Sequence, residues 1–160
     1  AEVPGDPLVE LAQLPANAFV QSEARSRPIE KIIARGGAIH IRSVFAQGLL
    51  LMQPTDIPPA LRELAPLIAS FQALAREART SVAALAIAAA RRLLPTAELV
   101  LGAETPQQVT ELAQAARTPV PASLAEAALE LGRAAPGALF DPRRWPAMRD
   151  TTPQPLTSAK

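Results

Sequence analysis

Residues Ala38 to Met52 read AIHIRSVFAQGLLLM, and the way this stretch alternates decides the fold. Ile39 and Ile41 alternate with His40 and Arg42, and Ser43 continues the rhythm, so the spacing predicts a strand over 38–44. Gly36-Gly37 breaks the helical pattern upstream and sets the start of that strand. Gly48 closes the segment, and the apolar run Leu49-Leu50-Leu51-Met52 follows before Pro54. An arginine and a hydroxyl, Arg42-Ser43, at the end of a mostly apolar strand stand where α/β proteins put ligand-contacting groups.

Upstream, residues 8–14 (LVELAQL) read as a short strand ended by Pro15 and Asn17. Ser26 and Pro28 mark a helix start, Ile29, Ile32 and Ile33 give it one apolar face, and Gly36 ends it. Strand, helix and strand with short connections favour a parallel pair. Downstream, Pro54 to Pro59 is a turn-rich link. Leu61, Leu64, Leu67, Ile68, Phe71 and Leu74 recur at threes and fours, predicting a helix over 60–78, bent near Pro66. Ser81 caps a second, alanine-rich helix over 82–93 that Pro95 ends. Glu98 to Gly102 reads as a short buried strand. Thr105, Pro106 and Gln108 form a capping-box start for a helix reaching about Ala116, and Ser123 with Glu126 repeats that spacing for a last helix over 124–134. The order is β-α-β-α-α-β-α-α, with a tail predicted to be disordered over 150–160 after one domain spanning 1–149.

Composition narrows the function. With 160 residues, 49% hydrophobic, and net charge +1, the chain can bury one sizeable core and has no basic excess to recommend nucleic acid or anionic membrane as partner. It has no cysteine, hence no thiolate chemistry, and its single histidine, His40, cannot build a multi-histidine metal site. The start AEVPGDPL shows neither the basic nor the apolar region of a signal peptide, and no run is long enough to span a bilayer. A cytoplasmic location is the default expectation.

Several residues suit ligand binding, each beside a plainer alternative. Gly102-Ala103-Glu104-Thr105-Pro106 is a strand–turn–helix junction whose free amides would attract phosphate, though taken alone it is better explained as an ordinary capped helix. Arg42 and Ser43 are suited to stacking on a planar ring and bonding a phosphate oxygen, unless Arg42 pairs with a neighbouring carboxylate. Gln13 and Asn17 suit a carboxamide, or they satisfy their own loop. Arg91-Arg92 reads as a solvated helix end, and Trp145 as a structural anchor.

Four blocks of the chain resemble, in order, the C-terminal half of aldo/keto reductases. They are Ala12-Gln13-Leu14-Pro15-Ala16-Asn17, the run Arg42 to Leu51, Val100 to Thr105 with Gln107-Gln108, and Asp141-Pro142-Arg143-Arg144-Trp145. That family folds as (β/α)8 barrels and reduces carbonyls with a nicotinamide cofactor. The resemblance implies the C-terminal part of such a TIM barrel, about three parallel strands with their helices, left incomplete by a fragment of a longer reductase. It implies NAD(P)H as cofactor, with Gln13 at the nicotinamide carboxamide, Arg42 stacked on the nicotinamide, and Ser43 at the pyrophosphate. Gly102 and Ala103 would lie in the loop that holds the adenosine 2′-phosphate, with Gln108 and Glu111 facing the adenosine.

Two features modify that transfer. No lysine or arginine stands near Gly102 and Gln108 in the sequence, so NADP specificity is in doubt. No tyrosine exists anywhere, so the family's proton donor is absent and the chain alone is expected to be inactive. A carbonyl substrate would be met only with the missing N-terminal half. The alternatives are a degenerate module that holds a nucleotide or a partner without turnover, and a structural domain alike in fold only. Open strand edges and an apolar inner face predict self-association.

Overall fold

Alternation along three strands determines which face of the sheet the helices cover. The computed structural model describes residues 9–135 together with 140, 142 and 145. Strands β1 (Leu11–Pro15), β2 (Ala38–Arg42) and β3 (Glu98–Leu99) lie side by side in that order, all parallel. Leu14 stands opposite Ile41 and Gln13 opposite His40, while His40 faces Glu98 across the other pair. Leu14, Ile39 and Ile41 therefore share one face and are buried beneath the helices. The other face carries Leu11, Gln13, His40, Arg42 and Glu98, with His40 Nε2 3.1 Å from the Glu98 carboxylate. Leu11 is 48% exposed there and Val100, just past β3, 43%. The uncovered face is thus mixed in polarity rather than apolar as expected, because the alternation that buries isoleucines on one side puts polar groups on the other. The chain is α/β, a three-stranded parallel sheet with flanking helices.

The helices follow their caps. Helix α1 (Arg27–Ala34) starts after Ser26, whose hydroxyl makes no capping bond, and buries Ile29 and Ile32. Its end is a Schellman turn: Gly37 N–H donates to the Ile32 carbonyl and Gly36 N–H to that of Ile33, both at 2.9 Å, with Gly36 at φ +81°. The helix predicted over 60–78 divides into a 3-10 segment, Pro59–Leu64, and α2 (Ala65–Glu77). Pro66 stands in the first turn of α2, where its missing N–H is not needed, so it starts a helix instead of bending one.

Helix α3 (Val82–Leu93) begins as predicted, the Ser81 hydroxyl accepting from Ala84 N–H at 3.0 Å. In α4 (Pro106–Arg117), Thr105 Oγ1 accepts from Gln108 N–H at 3.2 Å, and Gln108 Oε1 accepts from Glu104 N–H at 2.7 Å. The last helix, α5 (Ala122–Ala134), starts earlier than its supposed capping box. Pro121 holds the N-cap position with extended backbone, Ser123 lies inside the first turn, and Glu126 points to Arg92 and Arg133 at 3.0 and 2.8 Å. Those two bonds, Arg133 first, hold the Glu126 carboxyl below its usual range, so their small contribution is lost as pH falls through that lowered value. Arg91 donates to the Ala116 carbonyl at 2.7 Å, so the arginine pair ties α3 to α4 and α5 and is not simply solvated.

One close approach locks α5 onto the loop after β1. The Gln21 amide nitrogen donates to the Ala18 carbonyl at 2.5 Å and to that of Leu129 at 2.8 Å. The Ala18 carbonyl sits so near α5 that a Cβ on Gly132 would lie 1.7 Å from its oxygen. Phe140 stacks on Phe19 at 4.2 Å, and Trp145 is half-buried against the core. Asp141, Arg143, Arg144 and the tail beyond 149 lie outside the described residues.

Candidate functional site

The site grows from the end of β2, which stops one residue short of Ser43. Ser43, Ala46 and Gln47 all take the left-handed conformation, at φ 61°, 49° and 58°, and Gly48 follows at 87°. Each side-chain-bearing residue there costs about 1 kcal/mol or more, so the turn persists only because its surroundings hold it. Asn17 does much of that holding. It is only 2% exposed; its Oδ1 accepts from Phe19 and Val20 N–H at 2.9 and 3.0 Å, and its Nδ2 donates to the Ser43 carbonyl at 3.0 Å. The Gln72 amide then fastens the far side of the turn, donating to the Leu50 and Met52 carbonyls at 3.0 and 2.8 Å.

This turn forms one wall of a cleft of about 1300 Å³ at the C-terminal ends of β2 and β3. The opposite wall is the β3–α4 loop and α4, and the start of α3 closes one side. Of the residues the sequence singled out, Arg42, Ser43, Gly102, Ala103, Gln108 and Glu111 line this cleft together. Gln13 does not; it lies exposed on the uncovered face of β1. Within the cleft Arg42 donates to the Ser43 hydroxyl at 3.2 Å. Gln108 is engaged in its capping box, and Glu111 accepts from Gln107 at 2.9 Å. Gly102 has open space where a Cβ would stand, as does Gly48 on the facing wall.

One lining residue escaped the sequence reading. Although no cation neighbours Gly102 and Gln108 in sequence, Arg79 reaches the cleft from the α2–α3 connection. Among the described residues its guanidinium has no hydrogen bond or ion pair. Next to it, the Thr80 hydroxyl is buried with no hydrogen-bond partner among the described residues. Nothing in the sequence E-A-R-T-S announces either fact.

The charged groups lining the cleft are two guanidiniums, Arg42 and Arg79, and two carboxylates, Glu104 and Glu111, the carboxylates on the wall made by the β3–α4 loop and α4. The cleft volume exceeds the roughly 300–1,000 Å³ typical of pockets for drug-sized ligands. Among the described residues no group of three or more His, Cys, Asp or Glu is placed to hold a metal ion, and no helix is long and apolar enough to cross a membrane. The chain is thus an α/β protein with a cleft at the carboxyl edge of a parallel sheet. No protein-family model matches the chain, and no curated protein does.

Proposed function

We propose that the chain is the cofactor-binding half of an aldo/keto reductase-type (β/α)8 barrel, whose cleft holds a nicotinamide dinucleotide. The observation that carries this reading is the meeting, in one cleft at the carboxyl edge of the sheet, of Arg42-Ser43 with Gly102-Ala103, Gln108 and Glu111. Parallel strands in unbroken sequential order, with no reversal, suit a segment of such a barrel. In this reading the guanidinium of Arg42 stacks on the nicotinamide, Ser43 bonds the pyrophosphate, and Gln108 and Glu111 face the adenosine. Gln13 would meet the carboxamide from the uncovered sheet face, the side that becomes the barrel interior. Hydride transfer to an aldehyde or ketone would need the other half-barrel for its proton donor. The absence of any tyrosine favours, as the second reading, a nucleotide- or partner-binding module without turnover.

Calorimetric titration with NADH and NADPH tests the proposal. NADH should bind at least as tightly as NADPH, because the α4 wall offers Glu104 and Glu111 and no cation to a 2′-phosphate. Failure to bind either dinucleotide would remove the reading; NADPH tighter by tenfold or more, about 1.4 kcal/mol, would reverse the preference. The same protein should reduce no small aldehyde with either cofactor, in a spectrophotometric assay at 340 nm, the nicotinamide absorbance. Turnover that co-purifies with the chain would mean that a proton donor other than tyrosine serves it.

A further inference from the structure

Two helices of this chain end in the same turn, with different residues at its critical position. At the end of α1 the left-handed residue is Gly36. At the end of α2, Thr80 N–H donates to the Ala75 carbonyl and Arg79 N–H to that of Arg76, both at 3.0 Å, and the left-handed residue is Arg79 at φ 54°. Glycine adopts that conformation freely, whereas an arginine is strained in it. Among the described residues the guanidinium has no hydrogen bond or ion pair to set against that strain. What the position does provide is a cation on the wall of the cleft, immediately before the Ser81 cap of α3.

We propose that Arg79 is a phosphate-binding residue of the cleft, its guanidinium pairing with the pyrophosphate of the dinucleotide; the assignment rests on the dinucleotide reading above. Among the described residues Arg42 and Arg79 are the arginines that line the cleft, and Arg42 bonds Ser43, so there Arg79 is the guanidinium with no donor engaged. A planar guanidinium meets two phosphate oxygens at once, a geometry a lysine cannot copy. The carboxylates of Glu104 and Glu111 on the facing wall disfavour a 2′-phosphate there, which leaves the pyrophosphate as the anion for Arg79.

The test compares the full chain with Arg79→Gly and Arg79→Asn, both of which tolerate the left-handed turn, by calorimetric titration with NADH, NADPH and inorganic pyrophosphate. Arg79→Gly should raise the melting temperature by about 2–4 °C, as relief of strain requires, while both variants weaken all three ligands about tenfold or more. Arg79→Lys should recover only part of that affinity. Unchanged affinity for all three ligands would overturn the assignment, as would a loss confined to NADPH, which would put the guanidinium at the 2′-phosphate. Should the parent chain bind pyrophosphate through Arg79 but neither dinucleotide, the phosphate role stands and the dinucleotide reading falls.

Discussion

Gly132→Ala should lower the melting temperature by about 10 °C or more, a net loss of about 3 kcal/mol or more. Taken alone, helix propensity points the other way, since alanine is better than glycine inside a helix by about 1 kcal/mol. Sterics decide the sign. The new methyl would stand 1.7 Å from the Ala18 oxygen and 2.5 Å from its carbon, both backbone atoms that no rotamer change can withdraw. Relief requires α5 to move off the loop after β1, and that motion stretches the Gln21–Leu129 bond and the packing behind it. Gly102→Ala is the control, because nothing lies within 4 Å of a Cβ there and it should leave stability unchanged. A thermal melt of the two variants beside the parent checks both halves; equal melting temperatures for all three would mean the close approach at Ala18 is not real.

Asn17→Asp is the second large effect, expected to cost about 3 kcal/mol near neutral pH and to be partly repaired in acid. Oδ1 keeps its role, accepting from the Phe19 and Val20 amides. The other side is where the damage falls: a carboxylate oxygen replaces the Nδ2 that donates to the Ser43 carbonyl, so two acceptors face each other at about the present 3.0 Å. Burial and the nearby carbonyl favour the neutral carboxyl, so folding raises its pKa. The penalty is therefore full above that raised pKa and shrinks as pH falls through it, when a protonated oxygen can donate again. Urea melts at neutral and acidic pH, with Asn17→Ala for comparison, read the effect. An Asp variant whose deficit did not narrow in acid would show that the lost bond to Ser43 is not the cause. Because Ser43 opens the cleft, the same variant should also loosen its wall.

Much of the architecture was legible because local signals stood alone. Ile39 and Ile41 alternating with His40 and Arg42 gave β2, and Ser81 and Thr105 each preceded an unambiguous helix. Where two signals competed, chemistry nearest the helix did not always win. Ser123 and Glu126 had capping-box spacing, yet Pro121 begins α5 because its fixed φ suits the turn and Glu126 is drawn to arginines on two helices. Strand β3 was read through Gly102, but only Glu98 and Leu99 pair with β2. Of the site, the parts carried by strand ends and helix starts were readable, and these include six of the residues that line the cleft. Arg79 was not, since an arginine gives no sign of a left-handed backbone. Nor was the Asn17–Ser43 bond, which joins residues 26 positions apart.

The sequential strand order has a kinetic consequence. Leu11 pairs with Ala38 after a single intervening helix, whereas β3 reaches His40 only after the chain has passed through α2 and α3. Closing that longer loop costs more chain entropy, and only two paired positions reward it, against five between β1 and β2. The β1–α1–β2 unit is therefore the natural nucleus, and β3 with α4 docks late. The cleft wall that carries Gly102, Ala103, Gln108 and Glu111 belongs to this late-docking segment, so it is expected to open before β1 and β2 part. A ligand bridging the two walls would close the weakest seam of the sheet, and amide exchange along β3 would slow more than anywhere else when it binds.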